Sequence, residues 1–296
     1  MESKIKVITH SGTFHADEIL AVAALEIYFN GKPYEVIRTR DMSVITQGDY
    51  VVDVGMIYDP QSNRFDHHQE GGAGTRENGI PYSSFGLVWK KFGVEITGSL
   101  EVAEAIDRRI CWPIDMGDNG ILPYETTDYG VHPYLLHSIV SAFRPTWKEE
   151  DMQDERFAEL VVFCKRLLER EIKVEQDRIE GAQNVLHAYH HAEDKRLVVI
   201  DHVYPWKEVL AALPEPLYIV KPKQQQTGWE VECVRTDVFG FGNRKDLPAE
   251  WAGKEGKELA QITGVDDAVF CHNKRYVIVT RTKEGAVALA RMALNT

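Results

Sequence analysis

Short β-rich runs alternate with helical periodicity along the first part of the chain. Lys4–Thr9 alternates β-branched and polar residues and predicts a strand. Asp17–Phe29 has apolar residues at helical spacing, with acids in its first turn and Asn30-Gly31 as its stop. Tyr34–Thr39 reads as a second strand, Asp41–Thr46 as one or two helical turns, and Tyr50–Val54 as a short buried strand. This β-α-β-α-β order implies a parallel sheet with right-handed crossovers. Helices are expected at Ser83–Phe92, Leu100–Cys111 and Tyr134–Phe143, and Asp151–His191 reads as one long helix or two. The end of the chain has its own pattern: strands at Arg196–Asp201, Leu217–Lys221 and Trp229–Arg235, helices at Trp206–Leu213 and Lys254–Ile262, a hairpin of Val269–His272 with Tyr276–Thr280, and a closing helix at Glu284–Leu294. The expected fold is therefore α/β, with a parallel-sheet domain over 1–192 that includes a long helical connector. A smaller α/β domain over 193–296 follows.

Polar residues interrupt this apolar pattern at the strand ends. His10, His15 and Asp17 follow the first strand, Asp53 stands inside Val51-Val52-Asp53-Val54-Gly55, and Asp66-His67-His68 follows Arg64-Phe65. Parallel strands end on one edge of a sheet, so these residues converge there. Taken singly, His10 reads equally well as a surface residue and Asp17 as a helix-start charge. Asp53 differs, because a buried carboxylate needs a cation or strong donors. Imidazoles and carboxylates without thiolate suit Mn²⁺, Mg²⁺, Fe²⁺ or Zn²⁺, and this many donors suit two ions better than one. The Gly-rich stretch Glu70–Pro81 reads either as a mobile loop beside the histidine pair or as a plain linker.

Composition narrows the partners. The net charge of −12 argues against a broad surface for duplex DNA. The charge is uneven, with 22 basic and 36 acidic side chains in residues 1–216 but 12 and 10 in residues 217–296. Cys111, Cys164, Cys233 and Cys271 form no Cys-x-x-Cys pair and read as reduced buried thiols. No apolar run is long enough for a membrane span. Met1–Lys4 passes straight into a β-rich run without a leader pattern, so a cytoplasmic protein is expected.

Thr9-His-Ser-Gly-Thr-Phe-His-Ala-Asp-Glu18, Ile37-Arg-Thr-Arg-Asp41, Val51–Gly55, Phe65-Asp-His-His-Gln69 and Ile114-Asp-Met-Gly-Asp-Asn-Gly120 resemble the signature stretches of the Myg family (melanocyte proliferating gene product family). These are metal-dependent hydrolases related to the DHH phosphoesterases. The resemblance covers nearly the whole chain and is looser after Leu217. It implies a metal-dependent phosphodiesterase, a 3′–5′ exonuclease on RNA or short oligonucleotides, holding two divalent ions, with Mn²⁺ first. It puts one ion on His10, His15 and Asp53, and the other on Asp17, Asp53, His67 and Asp118, with Asp115 as second choice for the last. His68 then faces the substrate phosphate and Asp66 orients His67. His15 departs from the Asp usual in DHH enzymes, which lowers the negative charge at the first ion.

Arg38 and Arg40 on the second strand are candidate phosphate contacts, or else ion-pair partners of Asp41 or Asp49. Arg244, Lys245, His272 and Arg281, with Lys283, are the substrate-binding candidates of the second domain. Arg235, Phe239, Phe241 and Trp251 could interleave with these cations along a single strand, or simply pack a domain core. The expected partner is a single-stranded RNA or short oligonucleotide, with no membrane and with a homodimer left open. The alternatives are a non-hydrolytic scaffold that keeps its metal site, or a pyrophosphatase of small nucleotides.

Overall fold

The computed structural model describes residues 4–125, 129–149, 151–224, 228–238 and 240–296. The chain divides into two compact units, Met1–Gln176 and Asp177–Thr296.

The first unit opens with β1 (Ile5–Thr9), α1 (Ala16–Phe29), β2 (Tyr34–Arg38), α2 (Met42–Ile45) and β3 (Tyr50–Val52). A tight hairpin of β4 (Tyr58–Asp59) and β5 (Arg64–Phe65) follows. The strand order is β2-β1-β3-β5-β4. The first four strands run parallel, and only β4 turns back, antiparallel to β5. The α/β expectation is met, with an antiparallel edge that the sequence pattern did not announce. α1 is buried on nearly every side from Ala16 to Leu25, which explains why its apolar residues form no narrow stripe. Across α1 lies α3 (Ser84–Thr97), and α4 (Leu100–Ile106) follows it.

A helix expected to stop at Cys111 continues. A π-type turn over Asp107–Cys111 joins α4 to α5 (Trp112–Asp118). Pro113 sits in the first turn of α5, where a missing N–H costs little. α6 (Leu136–Phe143) precedes α7, a single helix over Gln153–His191. The division between the units falls inside α7, earlier than the boundary expected after 192. The reason is local: Val185 and Tyr189 of α7 join the core of the second sheet.

That second sheet is ordered β6-β7-β8-β10-β9, from β6 (Leu197–Val199), β7 (Tyr218–Pro222), β8 (Trp229–Cys233), β9 (Ala268–Cys271) and β10 (Val277–Thr280). Only β6 and β7 are parallel. Alternation along β7 fills two cores. Tyr218 and Val220 pack with Leu289 and Ala290 of α10 (Lys283–Asn295), while Ile219 packs with Trp206 and Leu210 beside α8 (Lys207–Ala211). α9 (Gly256–Thr263) adds Leu259 to the first of these cores. All four cysteines are buried and free. No helix among the described residues is long and apolar enough to cross a membrane.

Candidate metal centre

The C-terminal ends of β1, β3 and β5 lie side by side, because these strands are parallel neighbours. Each end delivers a polar residue. His10 follows β1, Asp53 follows β3, and Asp66, His67 and His68 follow β5. α1 starts at the same edge and brings Asp17 and Glu18 in its first turn. The last residue of α5 is Asp118.

Asp53 is not inside a strand, as expected, but just beyond β3, at φ 57°. Its amide still donates to Phe65. Left-handed backbone is disfavoured for most residues and tolerated best by Asn and Asp, so the fold spends stability to aim this carboxylate inward. Asp53 Oδ2 lies 3.2 Å from His10 Nε2 and Oδ1 3.4 Å from His67 Nε2. A second acid, Glu18 Oε1, lies 3.1 Å from His10 Nε2. Asp118 Oδ2 stands 3.1 Å from His67 Nε2, and Asp17 Oδ2 4.0 Å.

Ligand atoms converge in three overlapping sets: His10, His15, Glu18 and Asp53; Asp53, His67 and His68; and His15, Asp17 and Asp118. Asp53 and His15 each belong to two of them. All six expected ligands are therefore brought together. Glu18 joins them, although its place in the first turn of a helix gave it only a dipole-related role in the sequence.

The electrostatics show what the cluster lacks. Burial pulls the His10 pKa down, but Asp53 and Glu18 outweigh it and hold it at about 10. Burial likewise opposes protonation of His67, and Asp118 and Asp53 raise it to about 10. Asp17, wholly buried, is pushed well above the carboxylate range by burial and by Asp53, Asp118 and Glu18. Asp53 itself is lowered by His10 and His67 against its burial. The site thus demands positive charge between its carboxylates. Two buried carboxylate oxygens of the cluster have no hydrogen-bond partner, Asp17 Oδ1 and Glu18 Oε2, and His67 Nε2 meets acids alone. Orphans of this kind are costly unless a cation satisfies them. Oxygen and imidazole donors without thiolate fit a divalent metal such as Mn²⁺.

Other candidates are placed differently. Asp66 accepts the backbone N–H groups of Met56 and His68 and lies 2.8 Å from His68 Nδ1. It therefore orients His68, not His67. Asp115 is not a ligand. It is fully buried, ion-paired with Arg76 and bonded to Ser83 Oγ and the Gly86 N–H, with burial raising its pKa to about 6. Arg76 comes from the Gly-rich segment, so that stretch is tied down rather than a plain linker. Asp115 fixes the start of α3, whose Ser84 donates to Asp53 from its hydroxyl and to Asp17 from its N–H.

Arg38 is no phosphate contact. Its guanidinium pairs with Asp154, donates to the Gly12 carbonyl and lies over Phe157. Asp41 and Asp49, the partners expected for it, are used elsewhere, Asp41 to cap α2 and Asp49 to accept the Lys6 N–H. Arg40 is exposed beyond β2. In the second unit, Arg244 donates to the carbonyls of Ala211, Leu213 and Pro216, and Lys245 to that of Leu294. Both cations bond backbone carbonyls remote in sequence, which removes them as free substrate ligands. His272 accepts the Lys274 N–H within the β9–β10 turn, and Arg281 is exposed. Trp251 is core, Phe241 is exposed with Arg235 against its ring, and Phe239 lies outside the described residues.

A pocket of about 560 Å³ opens over the centre, lined by His15, His67, His68, Asp118, His137 and Arg144 among others. His137 and Arg144, from and just after α6, had no sequence signal.

The model of the MYG1_exonuc family, described as Uncharacterised protein family (UPF0160), matches residues 6–294. The chain belongs to this family. It is 31% identical to the MYG1 protein of Dictyostelium discoideum over 99% of this chain and 97% of that protein. It is 29% identical to the MYG1 exonuclease of Homo sapiens, over 98% of this chain and 85% of that protein, and 31% identical to that of Bos taurus, over 98% and 84%. The candidate ligands lie inside the matched span.

Proposed function

We propose that this MYG1 family member is a metal-dependent phosphodiesterase, acting as a 3′–5′ exonuclease on RNA or short oligonucleotides in the cytoplasm. The observation that carries the reading is the buried carboxylate–imidazole cluster with its two unpartnered carboxylate oxygens, open to a pocket. The exonuclease names of the mammalian relatives support the nuclease part. His10, His15, Glu18 and Asp53 would hold one divalent ion, and Asp17, Asp53, His67 and Asp118 a second. Two such ions, when bound, would supply water activation and positive charge for the phosphoryl oxygens. Asp53 lies between the two sets and keeps them close. Ser84 fixes its carboxylate and that of Asp17 from α3. Asp66 anchors His68 through Nδ1, leaving the exposed side chain to hold a proton at Nε2 for the leaving oxygen. Asp66 also raises the His68 pKa against partial burial, which keeps that proton available.

The test is manganese-dependent release of 4-nitrophenol from bis(4-nitrophenyl) phosphate, followed by RNA oligomers labelled at either end and by dinucleoside polyphosphates. Stepwise shortening from the 3′ end is the expected result. Turnover of the polyphosphates alone would replace the exonuclease with a pyrophosphatase. No metal-dependent turnover on any substrate would leave a scaffold.

A further inference from the structure

We infer that Arg144 is the residue that receives the substrate phosphate over the metal centre, a reading that rests on the phosphodiesterase proposal above. The residue follows α6, and its Nε donates to the carbonyl of Phe14 at 2.8 Å. Phe14 adjoins His15, so the guanidinium is fastened beside a proposed ligand. Nothing else among the described residues bonds or pairs with its two terminal nitrogens. An arginine next to so many carboxylates would ordinarily form an ion pair with one of them. Here Nε is anchored to the backbone instead, and the side chain lines the pocket.

The wall around it is built for close approach. His137, about two turns earlier on α6, packs directly on Gly117, where any Cβ would collide with the imidazole. His137 Nε2 is buried and has no hydrogen-bond partner. The pocket therefore combines a guanidinium without terminal partners among the described residues and the candidate metal ligands, in a volume suited to one nucleotide unit. A planar fork matches two oxygens of a phosphate in a way that an ammonium cannot. Its distance from the second unit is immaterial, because every residue of this subsite belongs to the first.

The experiment compares wild type with Arg144→Ala and Arg144→Lys, all loaded with Mn²⁺. Metal content, adenosine 5′-monophosphate binding by calorimetry, and KM and kcat on an RNA oligomer are measured. Both variants should keep wild-type metal content and melting temperature. Nucleotide affinity should fall and KM rise about 10- to 100-fold in Arg144→Ala, as loss of a hydrogen bond to a charged group implies. Arg144→Lys keeps the charge and lacks the fork, so it decides the matter should Arg144→Ala lose its tether to Phe14 and unfold. Wild-type binding and KM in Arg144→Lys would overturn this inference while leaving the phosphodiesterase reading intact. Wild-type protein that neither binds the nucleotide nor cleaves any phosphodiester would overturn both.

Discussion

Arg76→Met should destabilise the first unit strongly and do so in a pH-dependent way. The Arg76 guanidinium is 5% exposed, pairs with Asp115 and Asp107, and lies 4.1 Å from the Tyr82 ring centre. Asp115 is fully buried, so removing its cation leaves a charge supported only by Ser83 and the Gly86 N–H. Breaking a buried pair from one side costs about 3–5 kcal/mol. For a unit of this size that is a fall in melting temperature of roughly 10 °C. Burial raises the Asp115 pKa to about 6 from 3.8, and Arg76 is the main group holding it from rising further. The stability linked to a raised carboxyl pKa is complete below the unfolded value and is lost as pH rises through the folded one. The variant's folded pKa is higher still, so its deficit should be small near pH 5 and larger near pH 8. Urea unfolding at both pH values measures this, and Arg76→Met with Asp115→Asn should recover much of the loss. A deficit below about 1 kcal/mol at pH 8, or one that shrinks as pH rises, would refute the reasoning.

Two further outcomes follow from the centre. His67→Ala should lose bound metal, because His67 Nε2 is buried among Asp17, Asp53 and Asp118, whereas His68→Ala should keep metal and lose turnover; elemental analysis beside kinetics separates the two. Metal-free protein should lose stability as pH rises from 6.5 towards about 10, since His10 and His67 protonate more readily folded than unfolded; Mn²⁺ should flatten that dependence in thermal melts at each pH.

Much of this centre was legible because it depends on short-range pattern. Strands β1 and β3 announce themselves by β-branched runs, β5 only by the apolar Phe65 before Asp66-His67-His68, and the polar residue ending each must lie on the shared edge. The choice between Asp115 and Asp118 was not legible. Both lie on α5, and which one faces the centre depends on helix phase, set by the π-type turn at Asp107–Cys111 that no spacing rule predicts. Glu18 was hidden by a competing role, since an acid in a first helical turn needs no metal to explain it. The cations were misread for one reason. Arg38, Arg244 and Lys245 satisfy backbone carbonyls or acids remote in sequence, and charge alone does not distinguish these from ligand contacts. Arg144 is the reverse case, a lone arginine before a proline whose meaning comes only from its bond to Phe14.

The central claim is that Asp53 joins two metal sites. Equilibrate wild type and Asp53→Asn with Mn²⁺, pass both through a desalting column, and measure manganese per chain by mass spectrometry. Wild type should hold about two ions per chain and Asp53→Asn should lose most of them, because the amide lacks the charge shared between the two sets. Equal manganese in both proteins, or none in wild type, would contradict it.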